Sequence, residues 1–153
     1  AAEASLESRS FNELALAVYQ IPSDCSKIVK RDATLTHLQG YLTDRIGPFV
    51  KIDYSDATPH LAVHVDCMKL EDTRGEGREI GYTLSILAQF YRPFYEDIAY
   101  VHASPWFKTS LVYFPAAKIT QADFEEELDI LLEDFVTLWL DEHNALPQTD
   151  NQR

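Results

Sequence analysis

Short apolar runs and alternating apolar and polar residues predict five β-strands. They lie at 13–21, 49–54, 59–72, 79–94 and 102–114. The first is dense in apolar and β-forming residues and ends before a proline, which is typical of a central strand. The third and fourth are separated by a short polar loop with glycines, which predicts an antiparallel hairpin.

Apolar residues at helical spacing predict a first helix over residues 32–48. Its stripe recurs at intervals of three and four residues: Leu35, Leu38, Leu42 and Ile46. Asp32 or Thr34 can cap its first N–H groups, and Gly47 followed by Pro48 ends it.

A second helix is predicted over residues 119–145. Thr120 and Asp123 have the spacing of a capping box, and further acids crowd the first turn. An apolar stripe follows with a period of 3.6: Phe124, Leu128, Leu131, Phe135, Leu138 and Trp139. This element is therefore an amphipathic helix with a carboxylate-rich outer face.

The order of elements, β-α-β-β-β-β-α, predicts an α+β fold with a single largely antiparallel sheet of about five strands. Both helices would pack on one face of that sheet. Because Pro105 cannot donate to a ladder, we expect the last strand to pair only from Phe107 onward, with 102–105 at an edge or bulge. One domain would span 11–145, between an N-terminal extension (1–10) and a polar C-terminal tail (146–153).

The chain is acidic, with 25 Asp and Glu residues against 13 Lys and Arg residues and a formal net charge of −12. Ten of the acids lie from Thr120 onward. Such a surface repels phosphate backbones and anionic headgroups, so we expect no nucleic-acid partner. It would attract a basic protein or simply keep the domain in solution. No apolar run reaches the roughly 18 residues of a membrane span.

The sequence begins "AAEASLES", without methionine, and small residues such as alanine flank signal-peptide cleavage points. We therefore expect an acidic, exported protein in the periplasm or another extracytoplasmic compartment. Cys25 and Cys67 could pair there as a disulfide that closes a loop of about 40 residues. Two unpaired buried thiols are the alternative.

No motif for catalysis or metal binding emerges. His60 and His64 would share a helix face, but on a strand they stand roughly 13 Å apart. The sequence contains no G-x-S-x-G nucleophile elbow, and the glycines in 74–78 join two strands rather than precede a helix. We expect no metal, no cofactor and no enzymatic activity.

Aromatic residues are concentrated between 90 and 114, where half of the chain's aromatics occur. One face of two strands packing under the helices accounts for some of them. The remainder form a predicted partner-binding surface: Tyr91, Phe94, Tyr95, Tyr100 and Trp106. Tyrosine and tryptophan suit interfaces because they join apolar area to a polar tip. A second small cluster buried under the loop is the alternative.

The succession "GPFVKIDY", "PHLAVHVDCMKL", "YTLSILAQFYRPF", "PWFKTSLVYF" and "DILLEDFVTLWLDEHN" resembles a group of uncharacterised bacterial exported proteins. In that group a "Trp-x-x-x-Ser" strand, matched here by Trp106 and Ser110, precedes a C-terminal amphipathic helix. The resemblance covers roughly residues 11–145 and implies an extracytoplasmic α+β domain. It implies no catalytic residues.

These observations favour a non-catalytic exported domain that acts by contact with other protein subunits. Such a domain could be an accessory subunit of a membrane-associated or envelope assembly. The alternative is a carrier of a small apolar ligand, with a pocket between sheet and helices lined by Tyr82, Phe90 and Trp106.

Overall fold

The structure, a computed structural model, describes Leu6, residues 11–47, 50–51, 58–72, Arg74, and residues 77–96, 99–115 and 119–144. The side chains of residues 51, 93–96 and 99–105 are not described. The elements are β1 (Leu14–Val18), α1 (Arg31–Ile46), β2 (Val50–Lys51), β3 (His60–Glu71), β4 (Glu79–Glu96), β5 (Ala99–Pro115) and α2 (Gln121–Asn144). The predicted order β-α-β-β-β-β-α is confirmed.

One five-stranded sheet has the order β2-β1-β3-β4-β5. The strand β1 pairs parallel with both of its neighbours, β2 and β3, whereas β3, β4 and β5 form long antiparallel ladders. The sheet is therefore mixed: its long ladders agree with the predicted largely antiparallel sheet, and the two short parallel pairings of β1 were not predicted. The physical reason is that α1 carries the chain from β1 back to the start of β2, and a helical crossover joins parallel strands.

The strand β5 is an edge strand, and it is longer than predicted. Its ladder with β4 runs from the pair Glu96–Ala99 onward, so pairing does not begin at Phe107. The expected irregularity is present, because the register shifts between Phe90 and Arg92, opposite the segment around Pro105. The proline is accommodated at this shift, and the ladder continues on both sides of it.

The two helices are capped in different ways. Thr120 and Asp123 form the predicted capping box at the start of α2, where the Thr120 N–H donates to Asp123 Oδ2 at 2.9 Å and the Asp123 N–H donates to Thr120 Oγ1 at 3.2 Å. At α1 the prediction is wrong, because Asp32 and Thr34 lie inside the helix and the N-cap is Lys30. The Lys30 N–H instead donates to Gln121 Oε1 at 2.7 Å, so α2 caps α1. Gly47 ends α1 at φ 79°, as predicted.

The core lies between one face of the sheet and the two helices. Alternate residues of each strand face it, as the period of two requires. The buried side chains that fill it include Leu16, Val63, Leu84, Ile86 and Phe90 from the strands and Leu38, Leu42, Phe124, Leu128, Phe135 and Trp139 from the helices. The predicted stripe of α2 is confirmed, except that Leu138 is only partly buried.

Two long-range links hold the periphery to this core. Cys25, in the turn after β1, is joined to Cys67 on β3 by a disulfide across 42 residues of sequence. His37 of α1 contacts Asp129 of α2 through Nε2 at 2.6 Å. Of the predicted terminal segments, 146–153 and most of 1–10 lie outside the described residues. Leu6 is buried, and its N–H donates to Glu142 Oε1 at 2.8 Å.

Two glycines provide a matched pair of substitutions. A Cβ at Gly81 would lie 2.6 Å from the Tyr113 ring and 2.7 Å from the Phe114 carbonyl oxygen, whereas a Cβ at Gly40 meets nothing within 4 Å. We expect Gly81→Ala to cost about 1–3 kcal/mol of unfolding free energy through overpacking. Gly40→Ala should stabilise the helix by up to about 1 kcal/mol. Urea denaturation of both variants checks the opposite signs, and equal effects would contradict the close approach at Gly81.

Candidate functional site

The face of the sheet turned away from the helices is the candidate site, and we call it the open face. It carries the strand positions that alternate with the core positions. Towards β5 it presents four large apolar side chains that we call the exposed strip: Met68, Phe107, Leu111 and Tyr113, at 63%, 64%, 77% and 54% exposure. Scattered exposed apolar residues are ordinary, whereas neighbouring ones on one face mark contact surfaces.

Strand register explains why these side chains are adjacent. Met68, Thr83 and Tyr113 form one row across β3, β4 and β5, and Asp66, Ser85 and Leu111 form the next row. Short side chains on β4 thus lie between longer ones on both sides. The result is a depression of about 170 Å³ lined by Asp66, Cys67, Met68, Thr83, Ser85 and Leu111.

Charge is distributed unequally between the two sides of the molecule. Asp66 is the one carboxylate among the described open-face positions of β3, β4 and β5, and no lysine or arginine lies among those positions. The opposite side carries the acids of α2. Lys108, on the helix-facing side of β5, forms an ion pair with Asp134 of α2. The described open face of these three strands therefore carries a single charged residue, in contrast to the acidic outer face of α2.

Of the predicted partner-binding residues, the two whose side chains are described, Trp106 and Tyr91, lie on opposite faces of the sheet. Trp106 is half-buried on the core side, with its ring centroid 5.3 Å from that of Phe135. Tyr91 lies on the open face, stacks on His60 at 4.9 Å and donates from its hydroxyl to Gln89 Oε1 at 2.6 Å. The side chains of Phe94, Tyr95 and Tyr100 lie outside the described residues, although their backbones pair in the β4–β5 ladder.

Sequence reasoning missed the exposed strip as a site. The alternation of Phe107, Leu111 and Tyr113 against Lys108 and its neighbours is visible in the sequence. The alternation does not reveal which side of the strand packs against the helices. Hydrophobicity alone would place Phe107, Leu111 and Tyr113 on the helix side, which is not where they lie. A useful signal was the near absence of charge along the same side of the neighbouring strands.

Aromatic and histidine rings cover the other end of the open face, near β1. Tyr19 stacks on His64 with centroids 4.0 Å apart, beside the pair of His60 and Tyr91. Burial lowers the pKa of His64 below 6.5, partly offset by a hydrogen bond with Gln89. Burial also raises the pKa of Tyr91 above 10.0, with a smaller contribution from nearby Tyr19.

The lowered pKa of His64 predicts a pH effect. Below pH 6.5 the unfolded chain takes up this proton before the folded chain does, so the contribution of His64 to stability is lost as the pH falls. We expect the difference in unfolding free energy between the wild type and His64→Gln to change over this range and to be constant above it. NMR titration of the imidazole gives the folded pKa directly, and a value at or above 6.5 would contradict this account.

The predicted ligand pocket between sheet and helices lies in the wrong place. Phe90 is completely buried, Tyr82 is buried, and Trp106 packs against the core cluster. Close packing of these rings with the helices fills the space that the prediction left open. A cavity of about 510 Å³ lies instead at the carboxyl end of β1, lined by Ala17, Val18, Tyr19, Gln20, Arg31 and His60.

Within the described residues, no three His, Cys, Asp or Glu side chains are grouped closely enough to hold a metal ion. Among the helices of the same part of the chain, none has the length and apolarity needed to cross a membrane.

The chain matches no family model and no curated protein. Its structure is similar to that of XCC0632 from Xanthomonas campestris, of the DUF330 family, at 16% identity and a TM-score of 0.37 over 92% of this chain and 88% of that one. It is also similar to rare lipoprotein B from Shewanella oneidensis (16% identity, TM-score 0.29, 92% and 97% coverage). A third similar structure is that of a minor lipoprotein from Acinetobacter baumannii (15% identity, TM-score 0.34, coverage of 86% of this chain and 92% of that one). All three are bacterial proteins, two are named as lipoproteins, and these values assign the chain to no family.

Proposed function

We propose that this protein is a non-catalytic, exported domain that binds another protein through the exposed strip, as an accessory subunit of an envelope or membrane-associated assembly. The observation that carries the proposal is the strip itself. The water-facing side of an antiparallel sheet is usually polar. Here Met68, Phe107, Leu111 and Tyr113 are each more than half exposed on that side.

The composition of the open face fits a protein partner. Interface centres are depleted of charge and enriched in aromatic residues and methionine, which describes the strip and its surroundings. The depression between Met68 and Leu111 adds a place for an anchoring side chain, because about 170 Å³ equals the liquid volume of roughly six water molecules. Anchors that fill such pockets dominate binding energy.

The disulfide supports an extracytoplasmic location. Disulfides persist in secreted and periplasmic proteins and are rare in reducing cytosol. Both cysteines of the chain are engaged in this bond, so neither supplies a thiol for nucleophilic chemistry. A binding role without catalysis accords with this arrangement.

Leu111→Glu tests the proposal. A carboxylate at the centre of the strip should weaken partner binding by at least about 2 kcal/mol, or roughly 30-fold. Ile130→Glu is the matched control, because Ile130 is 56% exposed on α2, on the opposite side of the molecule. The measurement is the concentration dependence of partner capture from native membranes and periplasm.

Salt distinguishes this contact from one made by the acidic helix. Binding through the strip should change little between low and high salt, because an uncharged contact is not screened. Capture that survives Leu111→Glu and falls with salt would move the contact to α2 and overturn the proposal.

A further inference from the structure

The cavity at the carboxyl end of β1 lies on a part of the molecule that the exposed strip does not use. At about 510 Å³ it falls within the size range of small-molecule sites. The chain leaves β1 through Tyr19 and Gln20 and returns at Arg31, the first residue of α1. The cavity is therefore formed where β1, the turn region and the helix separate.

Arg31 is the one charged residue in the described lining of this cavity. Its Nε donates to the Val18 carbonyl oxygen at 2.8 Å, which fixes the guanidinium at the end of β1. That bond is its one hydrogen bond within the described residues, so the Nη groups have no acceptor there. A guanidinium held in this way presents two parallel donors, which match a carboxylate or phosphate.

Apart from Gln20 and His60, the remaining lining residues are apolar or aromatic. Ala17 and Val18 contribute aliphatic surface, and the ring of Tyr19, stacked on His64, is 46% exposed. A bare inorganic anion would leave these walls in contact with water. An anion attached to an apolar body would cover them and gain the free energy of burial.

A second cavity continues the space beyond Arg31. It measures about 410 Å³ and is lined by Gln20, Ile21, Ser26, Val29, Lys30, Arg31 and Asp32. Lys30 donates from its ammonium group to the Ser26 carbonyl oxygen, whereas Asp32 would repel an anion there. The anionic group of a ligand would therefore lie beside Arg31 in the first cavity, and an uncharged part of the same ligand could extend into the second cavity.

We propose that the cavity at the end of β1 binds an organic anion with an apolar body, with Arg31 pairing the anionic group and Ala17, Val18 and Tyr19 contacting the body. The chain's overall charge of −12 opposes anion binding elsewhere on the surface, so the affinity must come from this local arrangement. The proposal is independent of the exposed strip, and either can fail without the other.

Two fluorescent probes of similar shape test it in the intact protein. Anilinonaphthalene sulfonate carries an anionic group, and N-phenylnaphthylamine lacks it. Wild type should bind the sulfonate saturably at one site. Arg31→Gln should weaken this binding roughly 10- to 100-fold, the range of a charge-assisted pair, and change binding of the neutral probe less than about twofold. Arg45→Gln, at the other end of α1, should change neither.

Variants that fill the cavity with a larger side chain provide a second test of the same proposal. Ala17→Phe should abolish binding of both probes, and Gln20→Trp serves the same purpose outside the strand if the first variant does not fold. Octanoate should displace the sulfonate probe, whereas sodium sulfate at equal ionic strength should not. Unchanged binding in Arg31→Gln, retention of both probes in a filled variant, or equal displacement by sulfate would each overturn the proposal.

Discussion

Replacing Phe135 with alanine is expected to lower the free energy of unfolding by about 3–5 kcal/mol, the usual cost of deleting a buried aromatic ring. The Phe135 ring centroid lies 5.5 Å from that of Phe90 on β4, 5.3 Å from Trp106 on β5 and 5.9 Å from Trp139 on α2. The side chain thus joins α2 to two strands at once. Its loss leaves a cavity that rigid strands cannot close.

Ile130→Ala is the control for this prediction, because Ile130 lies on the same helix but is 56% exposed. It should cost less than about 0.5 kcal/mol. Urea unfolding followed by tryptophan fluorescence is a direct measurement, since both tryptophans of the chain, Trp106 and Trp139, contact Phe135. A loss below about 1 kcal/mol for Phe135→Ala would show that this cluster does not dock α2.

The double variant Cys25→Ala, Cys67→Ala is expected to be less stable than the wild type by about 3–4 kcal/mol. The disulfide spans 42 residues of sequence, so its removal releases loop entropy in the unfolded chain. For a chain of this length, such a loss lowers Tm by roughly 10 °C. Alanine is preferred to serine because Cys25 is completely buried.

Reductant gives this experiment an internal control. Thermal unfolding of the wild type with reductant should approach that of the double variant, and reductant should leave the variant unchanged. Equal Tm values for oxidised and reduced wild type would contradict a stabilising role for the bond.

The helices and strands could be predicted from the periodicity of the sequence because each depends on residues that are close together along the chain. The capping box of α2 needs only Thr120 and Asp123, and the end of α1 needs only Gly47, so neighbouring residues carry the information. The parallel pairing of β1 with β3 was not predicted, because those strands are distant in sequence and alternation does not specify neighbours. The N-cap of α1 was missed for the same reason, since its acceptor comes from Gln121.

The site was only partly predictable. Aromatic density drew attention to Trp106 and Tyr91, yet they occupy opposite sides of the sheet. Lys108 lies on the helix side, where its ammonium group pairs with Asp134, in the same strand row as Trp106 and Phe114, which pack against the core. Because side chains alternate between the two faces of a strand, Phe107, Leu111 and Tyr113 then point away from the helices. Only the tertiary structure shows which face is which.

Site-specific photo-crosslinking in native cells shows directly whether the exposed strip is a protein-contact surface. A benzophenone amino acid would replace Leu111 in one variant and Ile130, on the opposite side, in the other. We expect an adduct with a different protein from position 111 and none from position 130. No adduct from position 111, an adduct from position 130 alone, or an adduct of twice 17.5 kDa formed by two copies would contradict it.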